Sequence, residues 1–455
     1  MDLHNAPGRS GLAEASIKDT LAFMADVVAP TLGKGLFIRR PRVTALAERL
    51  GLDTRAVRRL QRLRTTYGSG PLLLAIPGRR QAVVLDPEDV HRVLGGAPEP
   101  FAPATREKRS ALSHFEPKVS LASGPPERAE RRRFNDEVLE SDRLLHSSAD
   151  IIFSVVEEEA RPLLGDAGRE LSWTGFTEAW HRAVRRVILG DGARDDDALT
   201  DMLSKLRGAA NWAFLHPGRP ALRRRFHERL GAHLARAETG SLAARIAARP
   251  NGTDTAVVDQ VTHWLFAFDA AGIATYRALA LIAAHPDAQD RARGEGAAAP
   301  TGGGKVLPFV RACILESVRL WPTTPAILRE TTQDVVWDRG VLPRHTQLLV
   351  YVPFFHRDDE HLPYAHAFMP ELWMSPAPDK RWPLIPFSEG PGVCPAHHVV
   401  PTMGSAMIAA ILGRHRIALR PPHRLRTDRP LPGTLDSFHL RFGFSASNDA
   451  DGLPF

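Results

Sequence analysis

The residue with the clearest chemical potential is Cys394, which lies in the stretch PFSEGPGVCPAHH at positions 386–398. A run with helical spacing follows, in which an apolar residue recurs at every fourth position: Val399, Met403, Met407 and Ile411. A thiolate at the N-terminus of a helix is stabilised by the helix dipole and by free backbone N–H groups. The glycines before the cysteine let the backbone pass close to a large flat group. The stretch therefore predicts a thiolate held beside such a group.

Two other roles for Cys394 remain open at this stage. A nucleophilic cysteine needs a histidine as its base; His397 and His398 follow closely, but on a helix they point away from the thiol. A buried structural role is the usual fate of a lone cysteine. The second cysteine, Cys313, is too distant in sequence to suggest a zinc motif or a disulfide framework.

Two further groups of residues carry a chemical signal. Glu316 and Arg319 stand three apart in CILESVRLWP, which places both on one helix face. In AAGIAT, Gly272 lies inside a predicted helix at a cost of about 1 kcal/mol, which indicates that another group approaches the backbone there. Thr275 can donate to the carbonyl of Ala271, one turn earlier. The alternatives are a surface ion pair for the first group and a helix-packing site for the second.

The elements that must position these residues are mostly helical. Periodicity predicts helices over 125–141, 146–162, 171–190, 196–214, 218–237, 253–285, 306–321 and 397–413. Short strands are predicted within 326–352, a loop-rich stretch over 353–393, and a flexible connector at 294–305. The helix over 253–285 would be roughly 45–50 Å long at about 1.5 Å per residue. Because its middle is apolar, it must cross the interior of a large domain.

Composition is that of an ordinary globular protein. Of the 455 residues, 43% are hydrophobic and 24% are charged, and the net charge is +7. We expect no signal peptide and no membrane anchor, since no apolar run approaches the roughly 18 residues needed to span a bilayer. We expect one domain over 1–455, mainly α with a small β region, with 1–40 as an N-terminal extension either inside or outside the fold. A reducing cytoplasm is the expected compartment.

The stretch RVTALAERLGLDTRAVRRLQRLR at 42–64 admits two interpretations. Two short helices around Gly51 with arginines on the second are typical of a helix-turn-helix, which would indicate a DNA-associated regulator. The alternative is an amphipathic helix pair with a core face formed by Leu46, Leu50, Val57 and Leu60. A predicted hairpin and a helix from Asp86 follow without a linker, which favours the second interpretation.

In their order along the chain, these motifs resemble the cytochrome P450 superfamily, the haem-thiolate monooxygenases, over roughly residues 60–445. The matching positions are Phe387, Gly390, Cys394 and Ala396 for the haem loop, Glu316 and Arg319 for the Glu-x-x-Arg helix, and Ala271, Gly272 and Thr275 for the oxygen-activating helix. The stretch HRDDEHLPYAHAFMPELW resembles the meander before the haem loop. The resemblance implies the P450 fold, with a long central helix over haem b.

The resemblance also implies a role for each matched residue. Cys394 would be the thiolate ligand of the haem iron, which favours O–O cleavage, and Thr275 would take part in oxygen activation. Arginines stand where the family places partners of the haem propionates, with a solvated helix face as the alternative: Arg128, Arg132 and Arg329. The positions matching the substrate pocket are Phe266, Ala267, Ala270, Ala326, Ile327 and Leu328. No charged anchor for a substrate is visible on the long helix.

Four positions depart from the family's pattern. Gly392 replaces a basic residue that usually binds a propionate, and Ala396 replaces a glycine. Leu372 stands where the meander's arginine usually completes a triad with the Glu-x-x-Arg pair; Arg381 is a candidate substitute. Ala274 replaces the acid that usually works with the threonine in proton delivery. This last change raises the expectation of a peroxide-dependent or otherwise atypical reaction.

The resemblance implies a soluble, bacterial-type P450 monooxygenase of secondary metabolism that inserts one oxygen atom into an apolar small molecule. Electrons are expected from a separate ferredoxin and reductase, docking near Arg131, Arg132, His397 and His398. We expect a monomer with no nucleic-acid or membrane partner. Two alternatives remain: a peroxide-dependent haem-thiolate enzyme, and a haem-binding or ligand-binding regulator that uses 42–64 on DNA.

Overall fold

The computed structural model describes residues 11–164, 170–250, 252–298, 304–374, 381–413 and 415–446. The helices before residue 190 are α1 Ile17–Phe23, α2 Ala29–Gly33, α3 Pro41–Leu50, α4 Leu52–Tyr67, α5 Pro87–Gly95, α6 Arg106–Leu112, α7 Glu127–Val138, α8 Ala149–Ala160 and α9 Trp173–Leu189. The later helices are α10 Asp197–Ala210, α11 Pro220–Arg236, α12 Leu242–Ala247, α13 Val257–Ala284, α14 Pro286–Ala298, α15 Pro308–Leu320, α16 Val352–His356 and α17 Val399–Leu412. Each predicted helix overlaps an observed one.

The strands form a small β region beside the helices. They are β1 Leu72–Leu73, β2 Gln81–Val83, β3 Phe101–Ala102, β4 Glu170–Ser172, β5 Ala326–Thr331, β6 Val335–Trp337, β7 Gly340–Leu342, β8 Gln347–Tyr351, β9 His415–Leu419 and β10 Arg441–Ala446. The largest sheet has the order β1-β2-β8-β5-β3, in which only β2 and β8 run parallel. A second sheet has the order β4-β10-β9, and β6 pairs with β7. The prediction of a mainly α fold with a small β region is confirmed.

The long helix α13 is the centre of the helical body. Its 28 residues span about 42 Å, and it packs against α9, α15 and α17. It follows Ala256, whose backbone is left-handed, and ends before Pro286. Among the described residues it is the one helix long and apolar enough to cross a membrane, but 78% of its apolar window is buried inside the fold. Its hydrophobicity is therefore that of a core helix.

The predicted connector at 294–305 is wrong over its first part, because α14 continues to Ala298. Glu295 holds this end of α14 in place. Its carboxylate accepts hydrogen bonds from the N–H groups of Phe309 and Val310, at 2.9 and 3.0 Å. These are free N–H groups in the first turn of α15. The end of α14 is thus fixed by capping the next helix. Residues 299–303 of the predicted connector lie outside the described residues.

Residues 11–40 are part of the fold, whereas 1–10 lie outside the described residues. The N–H of Ala15 donates to the carbonyl of Leu73, and the N–H of Leu73 donates to the carbonyl of Ala13. Phe23 and Val27 are buried in the core beneath the mixed sheet. The N-terminal extension therefore covers the edge of that sheet.

The helix pair at 42–64 is present as α3 and α4, joined at the left-handed Gly51. Val57 and Leu60 are buried as predicted, but the prediction for Leu46 and Leu50 is wrong, because both are exposed. The inward face of α3 is formed by smaller side chains instead, those of Thr44 and Ala47.

Three arginines of α4 are held by carboxylates of the fold. Arg58 pairs with Asp359, Arg59 with Asp26 and Arg64 with Asp358, at 2.6 to 2.8 Å. These arginines are already neutralised, which favours the structural interpretation of this helix pair over DNA binding.

Candidate functional site

Cys394 lies in a loop that its own backbone closes. Its N–H donates to the carbonyl of Phe387 at 2.9 Å, and the N–H of Val393 donates to the carbonyl of Gly390 at 3.0 Å. Burial raises the pKa of the Cys394 thiol, and the N–H of Ala396 opposes that shift. The side chain nevertheless retains an intermediate exposed fraction, so protein atoms do not fully cover it. A coordinating metal ion would deprotonate such a thiol.

The two histidines after Cys394 do not act on its thiol. The Nδ1 atom of His397 lies 2.7 Å from the carbonyl of Cys394, so this ring faces the backbone. The Nδ1 atom of His398 lies 2.8 Å from Nη2 of Arg311. With both rings engaged elsewhere, the thiol lacks the base that a nucleophilic cysteine needs.

Cations from three separate elements form a cluster beside the cysteine loop, with Arg128 and Arg329 buried and Lys108 half-buried, and their hydrogen bonds go to backbone carbonyls. Lys108 donates to the carbonyls of Pro103 and Leu328 at 2.9 and 3.0 Å. Arg329 donates to the carbonyl of Leu328 at 3.0 Å. Arg128 donates to the carbonyl of Ser120 at 3.1 Å. Within the described part of the chain, Nε of Arg329 has no partner although it is buried.

The electrostatics of this cluster indicate a missing anion. Burial, with Arg329 and Arg128 adding to it, holds the pKa of Lys108 well below its usual range. Burial, together with Arg128, lowers the pKa of Arg329 to about 10. Buried charges are expensive unless an opposite charge compensates them. A dianion placed among these side chains would supply that compensation.

Gly392 is explained by the position of Arg329. A β-carbon at residue 392 would lie 2.7 Å from Nη2 of Arg329, closer than such contacts are found. The guanidinium thus fills the space where the family's usual basic side chain would begin. At Gly390, whose φ is +65°, a β-carbon would instead meet the carbonyl oxygen of Leu94 at 2.7 Å. The close approaches to this loop therefore come from α5 and from Arg329.

The arginines of α7 differ in what they reach. Nη1 of Arg132 donates to the carbonyl of Val393, and its Nε pairs with Asp136 at 2.7 Å, so this residue ties α7 to the cysteine loop. Arg131, predicted to lie on a docking face, is buried and donates to the carbonyl of Asp254 at 2.8 Å. That part of the docking prediction is wrong, because α7 turns Arg131 toward the segment before α13.

On α13, the predicted bond from Thr275 to the carbonyl of Ala271 is present at 2.8 Å. The group that approaches Gly272 is the indole of Trp180, which a β-carbon at 272 would meet at 2.9 Å. The structure thereby gives Gly272 a helix-packing role. Thr275 is fully buried, and α17 passes so close that a β-carbon at Gly404 would lie 2.6 Å from Oγ1 of Thr275.

No acid accompanies Thr275 on its face of α13 within the described residues. Ala274 is buried, and its carbonyl accepts a hydrogen bond from Oγ of Ser317 at 2.8 Å. Asp269 contacts Arg207 and His181 instead. Although burial opposes ionisation, these two partners hold the pKa of the Asp269 carboxyl well below its usual range.

One stripe of α13 is only partly covered by protein. Its members recur at helical spacing and keep intermediate exposed fractions, as does the adjacent Asp269: His263, Phe266, Ala267 and Ala270. Three of these are predicted pocket residues, so the structure brings them together. An open cleft of about 590 Å³, lined by His114, Ala213 and residues at the start of α11, lies outside this region.

The three predicted pocket residues of β5 do not share a face. Burial alternates along the strand, with Ala326 and Leu328 intermediate and Ile327 and Arg329 buried. Successive side chains of a strand point to opposite faces, so only Ile327 lies on the Arg329 side. The prediction that all three line one pocket is wrong for this reason.

Glu316 and Arg319 form a fully buried pair rather than a surface pair. Arg319 donates to both carboxylate oxygens of Glu316, at 2.6 and 2.7 Å, and also to carbonyls of His356 and Ala367 in the meander. The indole Nε1 of Trp373 donates to Glu316 at 3.0 Å. The side chain that reaches Glu316 from this stretch is therefore Trp373, next to Leu372.

A second charged cluster in the meander has a structural explanation. Asp358, Glu360 and His361 place oxygen and nitrogen atoms within 4.8 Å of one another, which could hold a metal ion. Arg64 donates to both carboxylates at 2.7 Å, so part of their negative charge is already compensated. The cluster fastens the meander to α4.

Comparison with known proteins gives matches that are described as cytochromes P450. The family model described as Cytochrome P450 matches residues 242–432. "Probable cytochrome P450 4ac3" of Drosophila melanogaster is 30% identical over 148 residues, covering 30% of this chain and 29% of that protein. "Cyclooctat-9-en-7-ol 5-monooxygenase" of Streptomyces melanosporofaciens is 27% identical over 190 residues, covering 40% of this chain and 39% of that protein. The matched segments thus span well under half of these relatives.

The fold extends the similarity beyond those segments. A zebrafish cytochrome P450 solved with abiraterone superimposes with a TM-score of 0.68 at 17% identity, covering 86% of this chain and 100% of that one. The chain has the cytochrome P450 fold. The family model over residues 242–432 and the P450-named relatives support the cytochrome P450 superfamily for this chain, and that family implies a haem cofactor.

The residues present fit a haem group. Cys394 offers a thiol that protein atoms do not fully cover, and the cluster of Lys108, Arg128 and Arg329 offers cations that an anion would compensate. Haem carries two carboxylates on one edge, which matches such a cluster. Lys108 is the member that sequence reasoning missed. It lies among other charged residues in α6, so its sequence context gave no distinct signal.

Proposed function

We propose that the protein is a haem-thiolate monooxygenase that inserts one oxygen atom into an apolar small molecule. The observation that carries the proposal is a cysteine thiol beside a cluster of three cations whose hydrogen bonds, within the described residues, go to backbone carbonyls and not to carboxylates. Cys394 would hold the iron of haem b, and Arg329, Lys108 and Arg128 would hold its propionates. Bound in this way, haem supplies an iron centre whose thiolate ligand favours O–O cleavage.

The chain's own residues would divide the remaining work between them. The stripe of Phe266, Ala267 and Ala270 would bind the apolar body of the substrate and exclude water. The hydroxyl of Thr275 donates a hydrogen bond to the carbonyl of Ala271. In the proposed reaction this hydroxyl would orient a proton donor. Because Ala274 offers no acid, that proton must come from water or from the substrate.

Turnover separates the two candidate oxidants. The protein would be incubated with a panel of apolar compounds, either with dioxygen, NADPH, a ferredoxin and its reductase, or with hydrogen peroxide alone. We expect oxygenated product in the first arm, carrying label from ¹⁸O₂, and none with Cys394→Ala. Product in the peroxide arm alone would favour the second candidate, a peroxide-dependent enzyme, which the missing acid at Ala274 motivates.

A separate ferredoxin in the cytoplasm is the proposed electron source, acting on a monomer. The net charge of +7 favours an acidic partner. With Arg131 buried, the docking face would consist of Arg132, Arg311, His397 and His398, all half-buried around the cysteine loop. A reduction rate that falls as salt rises would support this docking. A rate independent of salt would contradict it.

A further inference from the structure

We propose that His263, ion-paired with Glu116, donates a hydrogen bond to a neutral carbonyl, hydroxyl or ether oxygen of the substrate. This inference rests on the proposed function and names the substrate chemistry of the same pocket. It replaces the expectation that the long helix carries no charged anchor. The substrate would then be an apolar molecule with one oxygen acceptor at a fixed distance from its oxidised carbon.

The geometry places His263 between a buried acid and open space. Its Nδ1 lies 2.8 Å from Oε1 of Glu116, whose side chain is fully buried, while the side chain of His263 is 22% exposed. Within the described residues, no hydrogen bond to Nε2 of His263 is found. His263 also begins the partly covered stripe of α13. Nε2 of His263 therefore lies on a ring that borders the proposed pocket.

The surroundings of this pair are apolar and aromatic. The ring of Phe266 lies 5.5 Å from that of His263, and Phe115 lies 5.6 Å from Phe266 in an edge-to-face contact. Phe37 packs on both phenylalanines at 6.1 and 5.9 Å. Within these walls a single polar atom fixes the orientation of an apolar ligand, as is usual for small-molecule sites.

The acid favours the charged form of the histidine. Burial raises the pKa of Glu116, and His263 opposes that shift. Burial disfavours the charged imidazole, but Glu116 raises the pKa of His263 above its usual value. The remaining oxygen of Glu116 is buried without a partner within the described chain, so its one contact is His263. In imidazolium both nitrogens are donors, whereas with Nδ1–H in a neutral ring Nε2 is an acceptor.

The other charges nearby favour a neutral ligand. Arg207 is compensated by Asp269, and the His263–Glu116 pair is neutral in sum. Asp259 adds a negative charge, and its carboxylate accepts a hydrogen bond from the N–H of Lys118 at 2.8 Å. A carboxylate ligand would meet this excess negative charge, whereas a carbonyl or hydroxyl oxygen would not.

The test uses haem-loaded protein and compounds of three sizes, built on cyclohexane, adamantane and cyclododecane. Each is supplied as hydrocarbon, ketone and alcohol, and binding is followed by the change in the haem absorption spectrum below about pH 6.5, where imidazole is charged. We expect at least one ketone to bind the wild type about tenfold more tightly than its hydrocarbon. His263→Leu should abolish that ratio. His285→Leu, a histidine at the far end of α13 that contacts the carbonyl of Leu281, should leave it unchanged.

Glu116→Gln separates the proposed role from simple packing. The glutamine can still accept from Nδ1–H, but without the carboxylate burial favours the neutral ring at the same pH, so Nε2 accepts. Ligand preference should then shift from the ketone to the alcohol, which can donate. Equal binding of ketone and hydrocarbon in every size, no response to any ketone, or an unchanged ratio in His263→Leu would overturn the proposal. A sample without the absorption spectrum of thiolate-bound haem would instead refute the proposed function, before any ligand is added.

Discussion

Replacing Arg329 with methionine should change two properties in opposite directions. Burial, aided by Arg128, lowers the pKa of this arginine to about 10, against an ordinary value of about 12.5, which corresponds to about 3 kcal/mol of destabilisation in the haem-free protein. Methionine keeps most of the side-chain volume and removes the charge. Haem-free Arg329→Met should therefore be more stable than the wild type by about 1–3 kcal/mol.

With haem bound, the same substitution should weaken the protein. A hydrogen bond to a charged partner is worth about 1.5–3 kcal/mol, so haem should leave Arg329→Met about 10- to 100-fold faster. Denaturant unfolding of the haem-free protein measures the first effect, and transfer of haem to an excess of apomyoglobin measures the second. Arg344→Met, an exposed arginine in the turn before β8, is the matched control and should change neither.

The direction of the stability change in haem-free Arg329→Met distinguishes a propionate partner from a residue that only stabilises the fold. A guanidinium that served only to brace the fold would, when lost, destabilise the haem-free protein and leave haem transfer unchanged. Either of those results, or equal behaviour of Arg329→Met and Arg344→Met, would refute the assignment of this cluster to the propionates.

Four other perturbations follow from the same contacts. Lys108→Met should speed haem transfer several-fold, and an unchanged rate would remove Lys108 from the propionate site. Trp373→Phe should lower the free energy of unfolding by about 1–3 kcal/mol, since Glu316 loses a buried donor. Trp212→Phe, at an exposed tryptophan, is the control and should not lower it. Equal losses in the two variants would contradict a stabilising contact between Trp373 and Glu316. Glu316→Gln breaks the buried pair with Arg319 and should lower the free energy of unfolding by about 3–5 kcal/mol in denaturant unfolding. A near-neutral result would contradict the stabilising role of this pair. Burial raises the pKa of Asp89 to about 6, above its unfolded value, so its stabilising contribution is complete in acid and is lost as pH rises through about 6; Asp89→Asn should flatten that part of the stability–pH curve, and an unaltered curve would contradict the shift.

The parts of the site that could be predicted lie within short sequence motifs. Cys394 and its loop, and Glu316 with Arg319, are set by spacing inside one element, so their geometry follows from local rules. The bond between Thr275 and Ala271 is local in the same way. The long helix was equally clear, because no proline interrupts it and its middle is apolar.

The parts that were missed depend on contacts between distant segments. Lys108 meets the carbonyl of Leu328 across 220 positions, and His263 meets Glu116 across 147. Neither pair has a sequence signature, since each residue alone is typical of a solvated loop or helix face. Gly392 was recognised as unusual, but its reason, the guanidinium of Arg329, emerges only when β5 is placed beside the cysteine loop.

The central claim, that Cys394 is the thiolate ligand of a haem iron, is tested most directly by the absorption spectrum of the reduced protein with carbon monoxide bound. We predict a Soret band shifted far to the red in the wild type. Cys313→Ala removes the other cysteine of the chain, which is buried in α15, and should keep that band. Cys394→Ala should lose it. A red-shifted band that survives in Cys394→Ala, or its absence from the haem-loaded wild type, would contradict the account.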